Sequence, residues 1–177
     1  MSQFKSSIIV LAFFLLTSCK GQNLNDFLEK SQIKSSLVTN EVLRKKGNNK
    51  NPYLLFSISD SLYLIIENTD SSYLEKIVEL TDNEVVNILS VKKNEKSNYI
   101  LQKGFNKENY YKEFISFESD FYKDGYEIAQ GSKTYFVMVD TLGYKYGESI
   151  LSIIVRPNPI DEELYGYLAS KLLNFKK

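Results

Sequence analysis

The side chains that most often carry catalysis are scarce in this chain. Its 177 residues include one cysteine, Cys19, and no histidine. Histidine is the usual general base near neutral pH and a common metal ligand, so Ser-His-Asp triads, Cys–His pairs and imidazole metal sites are excluded. Carboxylate pairs, Ser–Lys dyads, tyrosine chemistry and oxygen-only calcium sites remain.

Four neighbouring acids are the candidates for that remaining chemistry: Glu118, Asp120, Asp124 and Glu127. Such groups supply oxygen ligands to Ca²⁺ or form the acid and base of a glycosidase. Their spacing does not match an EF-hand loop, and we interpret them as a solvated face. The chain also lacks a glycine-rich phosphate loop. We therefore predict no metal, no cofactor and no enzymatic activity, with a small carboxylate-dependent enzyme acting on glycans as an alternative.

The single cysteine follows a short apolar segment. Lys5 precedes an uninterrupted apolar run, Ile8 to Leu16, and Thr17-Ser18 separate this run from Cys19. As a helix the run would extend about 13 Å, less than half of a bilayer core of about 30 Å. The run is too short to span a membrane, and its length is typical of the apolar region of a signal peptide.

This order of residues resembles the signal peptide of bacterial lipoproteins, with Leu16-Thr17-Ser18-Cys19 as the lipobox. The resemblance implies cleavage before Cys19 and attachment of fatty acids such as palmitate to that cysteine. It further implies a lipid-anchored protein of the cell envelope. Because Lys20 rather than an aspartate follows the cysteine, we expect the outer membrane, with the protein facing the periplasm. The globular part resembles no family.

Three segments follow from this interpretation. We predict a cleaved signal peptide over residues 1–18, a polar tether over 19–26 and a single globular domain over 27–177. A domain of that length buries enough surface to fold without disulfides or metal. Basic and acidic residues balance at 22 each, which gives no electrostatic footprint for nucleic acid.

The apolar patterns predict an α+β domain, with a mostly antiparallel sheet packed against several helices. Two nearly continuous apolar runs, Tyr53–Ile58 and Leu62–Ile66, predict a hairpin that is buried on both faces. Other strands are predicted at 98–103, 133–140 and 149–156, and helices at 27–43, 71–80, 85–93 and after Pro159.

Two of these helices have specific support in the sequence. Thr81 and Glu84 have the spacing of a capping box in front of the helix predicted at 85–93. The last helix carries acids in its first turn. Its expected buried stripe consists of Leu164, Leu168, Leu172 and Phe175.

Residues 106–131 allow two interpretations. Aromatic residues recur at helical spacing, at Tyr110, Phe114, Phe117 and Phe121. An Asp124-Gly125 turn between aromatic segments favours a hairpin instead. We favour the helix, because the stripe continues over three turns.

Two tyrosines are the candidates for a recognition surface. Tyr144 and Tyr146 lie in a predicted loop, 142–147, that also contains Gly143 and Gly147. Tyrosine combines rigid contact area with a hydroxyl group, which is why protein interfaces are rich in it. We predict that the domain binds a protein partner. An immunity protein that neutralises an envelope-targeting toxin is the main alternative, and it rests on analogy with other small lipoproteins.

Overall fold

A computed structural model describes residues 24–43, 51–82, 84–115, 127–156 and 158–175. In chain order the elements are helix α1 (Leu24–Leu43), strands β1 (Tyr53–Ser57), β2 (Leu62–Asn68), β3 (Tyr73–Thr81) and β4 (Val85–Asn94), helix α2 (Tyr99–Gly104), a 3₁₀ helix (Lys107–Asn109), strands β5 (Glu127–Val139) and β6 (Lys145–Arg156), and helix α3 (Glu162–Phe175).

The chain divides into two compact units, residues 1–33 and residues 34–177. The described residues of the first unit, 24–33, belong to α1, and the second unit holds the sheet and the remaining helices. Because α1 begins at Leu24, the last three residues of the predicted tether are helical. The predicted signal peptide lies outside the described residues, and the limits of the three predicted segments stay predictions.

Within the described residues, six strands form one antiparallel sheet in the order β4-β3-β2-β1-β5-β6. Each hairpin places consecutive strands side by side, and β5 returns to pair with β1. The sheet packs against helices, so the predicted α+β class is confirmed. Strands β4 and β6 are the two edges of this sheet.

The predicted hairpin over residues 53–66 is confirmed as β1 and β2. Its turn is closed by side chains, because the Ser57 hydroxyl donates to the Leu62 carbonyl at 2.9 Å. The Leu62 amide in turn donates to the Ser59 hydroxyl at 3.2 Å. Almost every residue of both strands is buried, as the continuous apolar runs predict.

One face of the sheet packs against α2 and α3. The apolar cluster between them includes Leu54, Phe56, Leu64, Ile66 and Met138 from the strands, Leu101 from α2, and Leu164, Leu168 and Leu172 from α3. On the opposite face, Leu55, Ile65 and Val137 are also buried. Residues 34–43 of α1 contact this second face, where the side chains of Ser35 and Tyr135 are hydrogen-bonded.

Helix α3 confirms the helix predicted after Pro159. The Asp161 side chain accepts hydrogen bonds from the amides of Glu163 and Leu164, each at 3.1 Å, and so starts the helix. The three leucines of the predicted stripe are fully buried. Phe175 was expected to join them, but it lies at the last helical residue and is 41% exposed.

The helices predicted at 71–80 and 85–93 are wrong, because both segments are strands, β3 and β4. A tight turn joins them, with the Glu84 amide donating to the Thr81 carbonyl at 3.1 Å. Asp82 in this turn has a φ of 51°, a left-handed conformation that aspartate tolerates. The spacing of Thr81 and Glu84 is compatible with a β-turn as well as with a capping box, and in the structure these residues form the turn.

The strand predicted at 98–103 is also wrong, because this segment forms α2. The Asn98 side chain accepts the Leu101 amide at 3.1 Å, which caps the first turn of the helix. Leu101 then enters the core cluster. Capping by asparagine thus decides the structure of a segment whose apolar residues alone suggest a strand.

The predicted aromatic helix does not form in residues 110–115. A 3₁₀ helix ends at Asn109, and Tyr110 has an extended backbone. The Tyr110 hydroxyl donates to the Gly104 carbonyl at 2.8 Å, and its ring centre lies 5.7 Å from that of Phe136. Phe117, Phe121 and the Asp124-Gly125 turn lie outside the described residues. Strand β5 begins at Glu127, where the hairpin alternative places a strand.

Leu168→Ala tests the packing of α3 on the sheet. The Leu168 side chain is fully buried in the core cluster. Its truncation should lower the free energy of unfolding by about 2–5 kcal/mol, because it removes apolar burial and leaves a cavity. Urea unfolding followed by circular dichroism measures this change. Leu173→Ala is the matched control, since Leu173 lies on the same helix, is 54% exposed and should change stability by less than about 0.5 kcal/mol. Equal effects of the two substitutions would contradict the observed helix orientation.

Candidate functional site

Cys19 lies outside the described residues, so its lipidation stays a prediction. Over the part of the chain that is described, no helix has the length and apolar character required to cross a bilayer.

The side chains of the four candidate acids are not among those that the structure describes, so their role stays a prediction. Glu118, Asp120 and Asp124 lie outside the described residues, and the side chain of Glu127 does as well. Among the side chains that are described, no group of three or more potential metal ligands comes together.

The two candidate tyrosines have different environments. Tyr144 lies in the loop between β5 and β6 and is 64% exposed, whereas Tyr146 is only 8% exposed. Strand β6 begins at Lys145, so the predicted loop ends earlier than expected and Tyr146 points into the core cluster. The prediction that Tyr146 belongs to a recognition surface is therefore corrected. Tyr144 remains accessible to a partner.

Asp140 organises the loop that carries Tyr144. Its Oδ1 accepts the amides of Leu142 at 2.8 Å and Tyr144 at 3.0 Å. Its Oδ2 accepts a hydrogen bond from the Lys107 Nζ at 2.7 Å. The bond from Lys107, followed by those from the loop amides, lowers the pKa of Asp140 below its ordinary value despite desolvation. The loop is thus held by a carboxylate that stays ionised.

Every buried acid among the described side chains has a lysine partner within 4 Å. The four pairs are Glu67–Lys76, Glu75–Lys171, Asp140–Lys107 and Glu148–Lys145. Tyrosines add hydrogen bonds to three of these acids, from Tyr167 to Glu75, from Tyr135 to Glu148 and from Tyr146 to Asp140. Burial, and then the neighbouring Glu148, raises the pKa of Tyr135. These contacts compensate the burial of the four carboxylates, each of which is already engaged by a lysine.

A cavity of about 470 Å³ lies beside the β5–β6 loop. Hydroxyl and amide side chains form much of its wall, including Ser36, Thr39, Asn40, Asn51, Tyr53 and Thr141. Its acid among the described lining residues is Asp140, which is already engaged by Lys107. Apart from this carboxylate, the described lining residues of the cavity are uncharged.

Strand β4 is the most unusual surface of the described structure. It pairs with β3 on its inner side, and no described residue pairs with its outer side. Ile88, Leu89 and Val91 expose 51%, 40% and 57% of their surface. The unpaired backbone groups of an edge strand form a template for a strand from another chain. An open backbone edge thus coincides with exposed apolar side chains.

The side chains of β4 are divided between two faces. Leu89 is an extra residue, because Ile88 pairs with Val78 while Ser90 pairs with Ile77. Beyond this β-bulge the alternation of faces resumes. Pairing with alternate residues of β3 places Val86, Ile88 and Val91 on one face, and Asn87, Ser90 and Lys92 on the other. Apart from Val85 and Lys93 at its ends, the strand is therefore apolar on one side and polar on the opposite side.

Opposite charges stand at the two ends of β4. Glu84 precedes the strand, Lys92 and Lys93 lie near its end, and all three are exposed. Lysines and bulges on edge strands limit indiscriminate pairing. The described edge thus combines an unpaired outer side with charged residues at both ends.

The opposite edge of the sheet is covered at its beginning. The Ile115 amide donates to the Glu148 carbonyl at 2.9 Å, and the Gly147 amide donates to the Tyr111 carbonyl at 2.5 Å. Ile115 and Ser149 also form a parallel bridge. These contacts occupy backbone groups of β6 that would otherwise be open, so the two edges differ in their availability.

The β4 edge was missed at the level of the sequence, because the segment was expected to form a helix. The β-branched residues Val85, Val86, Ile88 and Val91 favour a strand and could have indicated one. The prediction gave more weight to the Thr81–Glu84 spacing, which indicated a helix.

Comparisons with models of protein families, with curated proteins and with solved structures gave no match for this chain. Function has to be inferred from the site itself, since an α+β fold is compatible with many activities.

Gly147→Ala tests how the covered edge is built. Gly147 has a φ of 58°, and a Cβ there would lie 2.5 Å from the Tyr110 Cδ1. We expect a loss of unfolding free energy beyond the roughly 1–3 kcal/mol of backbone strain, because the Tyr110 ring must also move. Thermal and urea unfolding measure the loss.

Substitutions at two other glycines distinguish the cost of backbone strain from the cost of moving the Tyr110 ring. Gly143 has a φ of 86°, but a Cβ there would have no heavy atom within 4 Å, so Gly143→Ala should show the strain alone. Gly166 lies inside α3 with open space around it, and Gly166→Ala should stabilise the protein by about 0.5–1 kcal/mol. If Gly147→Ala is no more harmful than Gly143→Ala, the contact with Tyr110 is not formed.

Proposed function

We propose that this chain is a lipid-anchored protein of the bacterial envelope whose domain binds a protein partner by adding a strand to the edge of its sheet at β4. The observation that carries the proposal is the exposure of Ile88, Leu89 and Val91 on an edge strand whose outer side pairs with no described residue.

The energetics of such an edge favour strand addition. Apolar burial contributes about 25 cal/mol per Å² of surface removed from water. Each main-chain hydrogen bond adds about 0.5–1.5 kcal/mol net. Ile88 and Val91 lie on one face, so a single incoming strand buries both while its backbone pairs with β4. The apolar side chains supply affinity, and Glu84, Lys92 and Lys93 select the partner by charge.

The lipid anchor supports the same function. Attachment of two or three acyl chains at Cys19, as the lipobox Leu16-Thr17-Ser18-Cys19 implies, would hold the protein at the membrane surface. Lys20 after the cysteine favours the outer membrane and a domain that faces the periplasm. Confinement to one surface raises the effective concentration of partners there, so an edge of moderate affinity is sufficient.

The buried acids also favour binding over catalysis. The described buried carboxylates are paired with lysines, and these pairs serve the stability of the fold. The exposed apolar and aromatic side chains of the described residues include Ile88, Leu89 and Val91 of β4 and Tyr144.

The anchor is tested by mass spectrometry of the protein purified from its native envelope. We expect an N-terminal peptide that begins at Cys19 and carries fatty acids, and Cys19→Ser should abolish both the acylation and the cleavage. Recovery of an unmodified peptide that begins at Met1 would contradict the anchor.

The binding edge is tested by photocrosslinking in the native envelope. A photoreactive residue in place of Asn87, which is exposed on the polar face of β4, should give a covalent adduct with a protein. Ile88→Lys in the same chain should reduce the adduct at least about tenfold, because it places a charge in the apolar contact. Leu142→Lys is the matched control, since Leu142 is an exposed apolar residue on a distant loop and should leave the adduct unchanged. An adduct that survives Ile88→Lys would rule out β4 as the binding edge, and a toxin in the adduct would assign the immunity role.

A further inference from the structure

We infer that the strand that fits β4 is β4 of a second copy of this chain, so that two antiparallel edges join two sheets across a two-fold axis. This inference rests on the proposed function of β4 as a binding edge, and it names the partner.

The order of residues along β4 matches itself when it is reversed. About a centre between Ile88 and Leu89, Val86 of one copy comes opposite Val91 of the other, and Asn87 comes opposite Ser90. Between residues 86 and 91, apolar residues thus meet apolar residues and polar residues meet polar residues, whereas Val85 comes opposite Lys92. Cross-strand pairs of this kind stabilise antiparallel sheets.

The β-bulge also places the residues that come opposite each other on the same face of the joined sheet. In a regular strand, residues separated by an odd number of positions lie on opposite faces. Val86 and Val91 are separated in this way, yet the extra residue Leu89 brings both onto the apolar face of the sheet. Asn87 and Ser90 both lie on the polar face for the same reason. A two-fold axis perpendicular to the sheet preserves these faces, so the pairs meet side by side.

Charge complementarity selects the antiparallel arrangement. In the same register Glu84 of each copy comes opposite Lys93 of the other, and both side chains are exposed. The two-fold axis repeats this pair, so that opposite charges meet at both ends of the contact. A parallel arrangement of two β4 strands would instead place Lys92 and Lys93 beside the same residues of the partner copy.

The two edges of the sheet differ in how far they are covered, and this difference limits the size of the assembly. Residues 111–115 occupy the beginning of β6, whereas the outer side of β4 is open in the described structure. Pairing of β4 with itself consumes this open edge in both copies. The two-fold contact is closed on itself, and growth beyond the dimer would need the remainder of the β6 edge. Anchoring of both copies to one membrane surface promotes their encounter.

Paired cysteine substitutions test this register. Two full-length copies with different affinity tags are co-expressed, one with Val86→Cys and the other with Val91→Cys. Opposite positions bring their Cβ atoms within disulfide distance. Non-reducing gels should show a covalent heterodimer that contains both tags. The background is low, because Cys19 is the only native cysteine.

Three controls define the result. Val86→Cys in both copies should give no dimer, since these two positions would lie about 17 Å apart at ~3.4 Å per residue. Asn87→Cys with Val91→Cys should also fail, because the two side chains lie on opposite faces. Ile88→Lys in both copies should reduce the covalent heterodimer at least about tenfold. Thermal unfolding of each variant confirms that the fold is intact.

The outcomes distinguish this inference from the proposed function. Absence of the Val86–Val91 heterodimer overturns the inference. If a different protein is then crosslinked at Asn87 and is lost on Ile88→Lys, the edge binds a heterologous strand and the proposed function stands. If no adduct depends on Ile88, both fail.

Discussion

The structure depends on the burial of one hairpin on both of its faces. Strands β1 and β2 are almost entirely buried, and each apolar side chain that is fully removed from water contributes about 1.5–3 kcal/mol. That burial requires a neighbouring strand on each side, helices on one face and residues 34–43 on the other. Strands β3 and β5 are the neighbouring strands, and α2 and α3 are the helices that cover one face. The outer strands β4 and β6 follow as the edges where the sheet ends.

The two edges show how a single sheet can be closed on one side and open on the other. At β6, a glycine with positive φ lets Tyr110 approach closely, and the chain that follows Tyr110 pairs with the beginning of the strand. At β4, the described structure provides no such cover, and apolar side chains remain exposed beside unpaired backbone groups. Pairing of this edge with another strand would remove apolar surface from water and satisfy its backbone groups, and this gain in free energy is the physical basis of the binding role that we propose.

The parts of the fold that could be predicted from the sequence are those with a strong and unambiguous pattern. The continuous apolar runs of β1 and β2 are compatible only with buried strands, and the leucine spacing of α3 is compatible only with a helix. Both elements were predicted correctly.

The errors in the prediction lie where one sequence motif is compatible with two structures. Thr81 and Glu84 fit a helix cap and a β-turn, and Asn98 caps a helix that its apolar neighbours do not indicate. Tyr146 was misplaced because the predicted loop, 142–147, extends past the first pairs of the β5–β6 hairpin, Val139–Lys145 and Met138–Tyr146. The edge position of β4 was out of reach for a different reason, since a strand becomes an edge only through the order of the whole sheet.

The lysine partners of the buried acids have a consequence for covalent modification. Lys76 and Glu67 are each at most 5% exposed and form an ion pair within the sheet. Acetylation of an amine removes its positive charge, whereas methylation retains it. An acetyl group on Lys76 would remove the charge that this lysine places beside the buried Glu67 carboxylate, and breaking a buried ion pair costs about 3–5 kcal/mol. Reductive methylation, which keeps the charge, should therefore destabilise the folded protein less than acetylation of Lys76.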